Sequence, residues 1–502
     1  MLLAMPTVSR KWLGFDIGAS SGRAMLGRLH GGQLQIEELY RFANAPVALG
    51  GTLYWDVLAL WGHIVEALRI CARQGHRDLA GIGVDTWGVD FGLLGNDDRL
   101  LGNPFCYRDA ITAGAVEAIT VVFPAERLFQ LTGLPPGRVT TLAQLVGLRR
   151  EGGGARLRAA DTLLMMPDLF RYFLCGDKAV ERTVAGSSLL LNVRTGQWCN
   201  ALLRRLNLPR RILPRLVEPG TATGRLRKEL ARETGLNEAA VVAVAGHDTA
   251  AAAAAVPFAD DKTAFISAGT WSVLGVIRHD PITSREALRR GFVNEFGLNS
   301  MLFVRNLMGL YLFENLRRSR LRCGERLTYA GMIRAVSQVA PFQRVLDINA
   351  PVFFVSEDPM VSVNAHLRAT GQKPLRHWAE AGRAIMEGLA FSHREAMQDL
   401  AALTSRAFRR ICLVGGGSRN RLLCQMTADA TGLEVLAGPA EATVVGNLAI
   451  QALAVGHLRN AAAIRALVRR SFVLRVFKPR SADVWSKPFA RYMRAKKTKE
   501  RR

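Results

Sequence analysis

Three turns in this chain carry residue types that can do chemistry. In "VAVAGHDTAAAAA" an apolar run leads straight into His247, Asp248 and Thr249, and then into unbroken alanine. Burying a carboxylate costs several kcal/mol unless it is paired or in use. Val241–Ala245 reads as a buried strand and the alanines as a helix, so Asp248 falls at a strand-to-helix junction. The helix dipole favours the ionised form there. Such a carboxylate can orient an attacking hydroxyl and accept its proton. The plain structural alternative is a helix N-cap beside a core histidine.

In "DIGASSGR" a Gly/Ser turn joins two apolar strands. Small residues there expose backbone N–H groups, Ser20, Ser21 and Arg23 add donors, and together they can cradle phosphate oxygens. Asp16 stands just before the turn, where a carboxylate can hold Mg²⁺ directly or through water. "SAGTWS" offers the same equipment through Gly269 and Thr270. Two such turns with a carboxylate between them suit phosphoryl transfer, whereas either turn alone is better read as a structural hairpin. No GxxxxGK[ST] is present and no GxGxxG follows the first strand, which excludes the Walker-type and dinucleotide-binding fingerprints. "VGGGSRN" by itself reads only as a tight turn.

The elements that must position these turns alternate between strand and helix, the signature of α/β sheets. "AGIGVDTWGVDFGLL" reads as strand and loop, and "DTLLMMPDLFRYFLCG" as a helix ending at Gly176. "VRNLMGLYLFENLRRSR" reads as an amphipathic helix and residues 377–404 as a longer one. "RRICLVGGGSRNRLLCQMTADATG" gives strand, glycine turn and helix, and "GPAEATVVGNLAIQALAVG" a last buried helix. Gly18 and Gly269 are 251 positions apart in 502 residues, so the opening hairpin recurs at half-length and points to two similar domains.

The 502 residues exceed one ordinary core, and 49% hydrophobic residues suffice for two. The net charge of +25 raises the question of an acidic partner. Only 10 of the 67 basic residues are lysine, and they are scattered, so arginine-rich composition explains the charge better than a binding stripe does. The dense basic run "RYMRAKKTKERR" reads as a frayed, solvated terminus. No nucleic acid, membrane or obligate protein partner is expected. The seven cysteines lack metal spacing, which points to reduced thiols and a cytoplasmic location. "MLLAMPTVSRKW" has too short an apolar patch for a signal peptide. The alanine-rich stretch 241–258 approaches membrane-spanning length, but His247 and Asp248 near its middle oppose insertion.

Taken together, "DIGASSGRAML", "GVDTWGVDFGLL", "NPFCYRDA", "LLMMPDLFRY", "VAGHDTAAA", "SAGTWSVLG", "RNLMGLY", "VGGGSRNRLL" and "GPAEATVVGN" resemble, in order, the motifs of the FGGY carbohydrate kinases. The resemblance implies a two-domain α/β fold of the actin/Hsp70/sugar-kinase (ribonuclease H-like) type with a central interdomain cleft. It places an N-terminal domain at 12–255, a C-terminal nucleotide-binding domain at 256–480 and a basic tail at 481–502. It implies ATP- and Mg²⁺-dependent phosphorylation of a ketose, with L-rhamnulose the expected sugar. L-fuculose, xylulose or a polyol is the alternative; a non-catalytic nucleotide-dependent module is another. By motif, Ala19, Ser20, Ser21, Gly22 and Arg23 would bind ATP phosphates and Asp16 the metal. Gly88, His247, Asp248, Thr249 and Asn306 would bind sugar, with Asp248 the proton acceptor. Thr270, Gly416 and Glu314 would face ATP; at Glu314 the family pattern has glutamine.

Overall fold

In a computed structural model, which describes residues 10–354, 356 and 358–500, the alternating elements assemble into two units. The first comprises residues through Pro257, Ile277–Phe303 and Ala442–Phe472; the second comprises Phe258–Val276, Val304–Glu441 and the chain from Val473. The units are therefore not consecutive halves of the sequence.

The first unit is built on a six-stranded sheet of β1 (Arg10–Ile17), β2 (Ser21–His30), β3 (Gln33–Ala43), β4 (Gly81–Thr86), β5 (Thr221–Arg225) and β6 (Ala240–Ala243), in the order β5-β6-β4-β1-β2-β3. Strands β1 and β2 form the expected hairpin, with Asp16 opposite Arg23. Strand β4 runs parallel to β1 and sets Asp85 opposite Asp16. Trp12, Leu13, Phe15 and Ile17 are fully buried, as a central strand covered on both faces requires. Glycines in the strands admit the helix Ala442–Ala454: a Cβ at Gly83 would stand 2.9 Å from Asn447 Oδ1 and 2.6 Å from Val244 Cγ1.

The second unit repeats the plan. Strand β7 (Thr263–Ala268) pairs antiparallel with β8 (Trp271–Arg278). The strands β9 (Phe292–Gly297), which counts with the first unit, and β10 (Ser300–Met308) follow in the chain. Strand β7 also runs parallel to β11 (Arg410–Val414), which runs parallel to β12 (Glu434–Ala437), with β13 (Arg475–Phe477) antiparallel at the edge. Hairpin, two parallel strands and an antiparallel edge occur in the same order across the sheet in the first unit, although there the edge strand β5 precedes β6 in the chain while β13 follows β12. The half-length repeat thus extends from one turn to a whole sheet.

Some elements differ from expectation. Residues 162–165 of the expected helix at 161–176 form a strand; the helix starts at Met166, with Pro167 in its first turn, and ends at Gly176 with φ 84°. The expected helix over "VRNLMGLYLFENLRRSR" begins only at Tyr311, because the buried, strand-forming residues up to Met308 complete β10. The helix Ala442–Ala454 is not the last; Ala461–Ser471 and Ser486–Glu500 follow. The basic run is no frayed tail as far as Glu500; Arg501 and Arg502 lie outside the described residues. Trp485, Phe489 and Tyr492 recur at helical spacing and bury one face around Phe391 of the helix Trp378–Thr404, with ring centroids 5.3, 6.1 and 5.4 Å away. The Tyr492 hydroxyl donates to Glu395 at 2.7 Å and Lys496 Nζ donates to the same carboxylate at 2.6 Å. All seven cysteines are free thiols. Among the described residues no helix is long and apolar enough to cross a membrane.

Candidate active site

Strand β6 delivers the chain to the turn that holds His247 and Asp248. Thr86 N–H donates to the Gly246 carbonyl at 2.9 Å, and His247 bridges alongside Thr86, so the turn continues the sheet past β4. His247 is the N-cap residue of the helix Asp248–Ala254, with extended φ −84° and ψ 122°. Asp248 is the first helical residue; its Oδ1 accepts from Thr249 N–H at 2.6 Å and its side chain is 42% exposed. The alanines explain themselves here. Ala250–Ala254 are buried, and Ala251 meets the helix Ala442–Ala454 backbone to backbone at Gly446. Any larger residue along this contact would hold the helices apart.

A buried acid pins the turn from the other side. The two oxygens of Glu181 accept from Thr183 N–H (2.8 Å), Thr183 hydroxyl (2.6 Å), Val184 N–H (3.2 Å) and Gly246 N–H (2.9 Å). Thr183 Oγ1 accepts in turn from His247 N–H at 3.3 Å. Burial pushes the Glu181 pKa up against these donors. Behind it, Asp168 Oδ1 accepts from Glu181 N–H at 3.0 Å and pairs with Arg171 at 2.8 Å.

Asp16 and Asp85 stand opposite each other on paired strands, and the charge of Asp248 reaches Asp85 as well. Arg23 donates through Nε (3.0 Å) and Nη2 (2.8 Å) to Asp16 Oδ2, so its guanidinium serves the carboxylate at the mouth of the turn. Asp85 is fully buried; Oδ2 accepts from Asn447 at 2.6 Å and Oδ1 has no hydrogen-bond partner. Burial pushes its pKa well above the carboxylate range, and the negative charges of Asp16 and Asp248 push the same way. A buried carboxylate oxygen without a partner asks for a proton or a cation. Among the described residues no three acidic, histidine or cysteine groups converge on one point. Two neighbouring carboxylates instead fit a mostly hydrated Mg²⁺, which takes one or two such ligands. The sequence reading singled out Gly88 in "GVDTWGVD" and passed over Asp85; its signal was a carboxylate at the end of a wholly buried strand.

Gly88 and His247 meet: a Cβ at 88 would stand 3.1 Å from His247 Nε2 and 2.8 Å from Ser187 Oγ. Val89 beside it takes φ 71°, an uncommon conformation for a β-branched residue and a mark of stored strain. Asp90 fixes the loop by accepting from Trp55 Nε1 (2.6 Å), Trp87 Nε1 (2.8 Å), Gln144 (2.8 Å) and Tyr107 N–H (3.3 Å). Burial pushes its pKa up to about 7. On its other ring nitrogen His247 faces Glu295 of β9, with Nδ1 and Oε2 3.5 Å apart.

The first Gly/Ser turn is closed by Gly18 N–H donating to the Ser21 carbonyl at 2.9 Å. Asn44 holds it from outside, donating from Nδ2 to the Gly18 carbonyl (2.8 Å) and from N–H to the Ser20 carbonyl (3.2 Å). Ala19 and Ser21 are half-buried and Ser20 exposed, while Gly22 is obliged to be glycine by the Phe42 ring beneath it.

Thr270, Asn306, Glu314 and Gly416 belong to the second unit. The "SAGTWS" turn closes in the same way, Gly269 N–H donating to the Trp271 carbonyl at 2.9 Å. "RNLMGLY" packs directly on it: Leu310 N–H donates to the Gly269 carbonyl (2.9 Å), Tyr311 N–H donates to the Thr270 carbonyl (3.2 Å), and a Cβ at Gly309 would lie 2.6 Å from that same oxygen. The triple glycine also reaches the end of β7. A Cβ at Gly415 or Gly417 would meet Ala268 at 2.9 and 2.6 Å, whereas one at Gly416 would have nothing within 4 Å. Gly416 and Thr270 are exposed, and so is Asn306, which sits on β10. Glu314 is held by Arg317 (2.7 Å) and Arg318 (3.4 Å). Burial draws its pKa upward, but the two guanidinium groups keep it below the usual range.

The models of the FGGY family of carbohydrate kinases match this chain twice, the N-terminal domain at residues 11–255 and the C-terminal domain at 264–455. The chain belongs to the FGGY family of carbohydrate kinases. This FGGY kinase is 37% identical to a rhamnulokinase of Bacteroides thetaiotaomicron, over 97% of this chain and 99% of the relative. It is 36% identical to a rhamnulokinase of Enterococcus faecalis, over 94% and 95%. In fold it is similar to a ligand-bound xylulose kinase from Lactobacillus acidophilus, with TM-score 0.81, 16% identity and coverage of 97% and 98%. It is similar also to Plasmodium falciparum glycerol kinase with ADP, with TM-score 0.79, 13% identity and coverage of 98% for each. The protein is thus a sugar kinase of mixed α/β, two-domain fold, with ATP as its co-substrate.

Proposed function

We propose that this kinase phosphorylates L-rhamnulose to L-rhamnulose 1-phosphate in the cytoplasm, with Asp248 as the general base. The substrate rests on one observation: two rhamnulokinases match at 36% and 37% identity along almost their whole length. The base is supported by the exposed Asp248 carboxylate, anchored by Thr249 N–H on a helix seated against Gly446.

In this reading the sugar lies against Gly88, His247, Asp248, Thr249 and Asn306. Asp248 accepts the proton of the sugar's 1-hydroxyl as that oxygen attacks the γ-phosphorus of ATP, the bond to the β-phosphate oxygen breaks, and ADP leaves. The backbone of Ala19, Ser20, Ser21 and Gly22 donates to the phosphates, with Arg23 held beside them by Asp16. Thr270 and the open backbone at Gly416 receive the nucleotide. Glu314 is tolerated near it because Arg317 and Arg318 offset its charge. Asp16 and Asp85 would hold Mg²⁺, which when bound offsets the phosphate charge.

The test is a coupled ADP-release assay across L-rhamnulose, L-fuculose, D-xylulose and glycerol. The expected result is the highest kcat/KM for L-rhamnulose. A tenfold preference for another sugar would overturn the substrate, and ATP turnover indifferent to every sugar would overturn the reading altogether.

A further inference from the structure

The carboxylate of Glu295 has no role in the scheme above, and its placement is hard to explain by packing. It lies on β9, a strand buried at every residue, and its side chain is only 10% exposed. Its Oε2 has no hydrogen-bond partner, and neither has His247 Nδ1, yet the two atoms stand 3.5 Å apart. Burial draws the Glu295 pKa upward and the charge of Asp248 adds to this, while the facing His247 favours the ionised form. Among the described residues no arginine or lysine charge is felt there.

We propose that Glu295 is a positioning residue that keeps the His247 ring protonated on Nδ1, leaving Nε2 as a hydrogen-bond acceptor for a sugar hydroxyl. This rests on the reading of His247 as a sugar ligand. A neutral imidazole carries one N–H, and the nitrogen that bears it is set by what the other ring atoms face. A carboxylate at Nδ1 claims that proton, just as outer carboxylates orient ligating histidines elsewhere. Nε2 then presents a lone pair on the side where Gly88 leaves room and Asp248 Oδ1 lies 3.5 Å away. In this tautomer Nε2 has no proton to give Asp248, so the base keeps its lone pairs for the reacting hydroxyl. The site acquires two adjacent acceptors with different duties: Asp248 for the hydroxyl that reacts, His247 for a neighbouring hydroxyl that is only held. That selects sugars with two hydroxyl donors at matching positions.

The full chain tests this with Glu295→Leu, Glu295→Asp, His247→Asn and the double variant Glu295→Leu/His247→Asn. A leucine of similar volume removes the carboxylate without leaving a hole, and because the facing ring is neutral in this reading no unpaired buried charge is left behind. Loss of the carboxylate that orients the ring should raise the KM of whichever sugar the panel selects about tenfold, with kcat and the ATP KM little changed. Glu295→Asp, which retains the charge at a longer reach, should fall between wild type and Glu295→Leu. In the His247→Asn background Glu295→Leu should add nothing. The ring itself is read by nitrogen NMR on ¹⁵N-histidine-labelled protein, with the His247 signals assigned by their loss in His247→Asn. Wild type should show the proton on Nδ1 without any sugar present, so this arm stands even if L-rhamnulose proves the wrong substrate or Glu295→Leu does not fold. A wild-type ring protonated on Nε2, an unchanged sugar KM in folded Glu295→Leu, or additive losses in the double variant would each overturn the proposal.

Discussion

Gly446→Ala tests whether the seat of the helix Asp248–Ala254 sets the rate. The added Cβ would run into the Ala251 carbonyl oxygen and lie 2.7 Å from its carbon and 3.3 Å from the Cα, against the 3.4–4 Å of ordinary contact. The obstacle is backbone, so no side chain can swing away, and the two helices must part by roughly 1 Å at an overpacking cost of about 1–3 kcal/mol. Alanine recovers up to about 1 kcal/mol of that through its better helix propensity. The net loss of stability is therefore small, about 2 kcal/mol or less by these two terms. Asp248 stands three residues from Ala251 on the displaced helix, and a shift of about 1 Å at a reacting group costs on the order of 100-fold in rate. The signature is a disproportion: a modest shift in the urea midpoint and a kcat near one-hundredth of wild type in the ADP-release assay. Gly62→Ala is the control. It is exposed on the helix Val57–Arg73 with nothing within 4 Å, and should gain stability at unchanged kcat. If Gly446→Ala kept kcat within threefold of wild type, the close approach would not be what positions Asp248.

Asp248→Asn should leave sugar and ATP binding intact by calorimetry while kcat falls roughly 100- to 10,000-fold; more than a tenth of wild-type kcat would remove Asp248 as the base. Asp85→Asn should raise the half-saturating Mg²⁺ concentration about tenfold, and an unaltered Mg²⁺ titration would take Asp85 out of the metal site. Asp90, pushed up to about 7 by burial from an ordinary value of 3.8, retains its proton in the fold when the unfolded chain has lost it. Its contribution is complete below about pH 4 and is lost as pH rises through 7, so the stability deficit of Asp90→Asn measured by urea unfolding should shrink from pH 5 to pH 8; a deficit independent of pH would refute the shift. Tyr492→Ala should cost about 3–5 kcal/mol, since the ring is buried against Phe391 and Phe489 and its hydroxyl donates to Glu395; a loss under 1 kcal/mol would mean that the C-terminal helix is only loosely seated.

What could be read from the sequence was what local spacing encodes. The strand-to-helix junction at Asp248 and the two Gly/Ser hairpins announce themselves within a dozen residues, because turns are satisfied by near neighbours, and the long helix expected over 377–404 forms over Trp378–Thr404. Partners distant in the chain left no such trace. Asp85 matters because a parallel pairing sets it opposite Asp16, and Glu295 because β9 carries it to His247, 48 positions away in sequence. Asn306 was placed on a helix because the run around it is apolar enough for either element, and burial along β10 decided for strand. The basic C-terminal run was read by its charge, while its one apolar face, Trp485, Phe489 and Tyr492, was masked by the lysines and arginines between.

The scattering of the first unit along the chain has a consequence for its birth on the ribosome. Its central sheet is complete once Ala243 has been made, but the helix that supplies Gly446 and Asn447 comes some two hundred residues later. At about 5–20 residues per second that interval lasts roughly 10–40 seconds. Until it ends, the alanine helix bearing Asp248 and the buried Asp85 both lack their partner, so the nascent chain must wait with an uncovered apolar face. A fragment ending near residue 257 should therefore need a chaperone, or the missing helix added back in trans, to stay in solution.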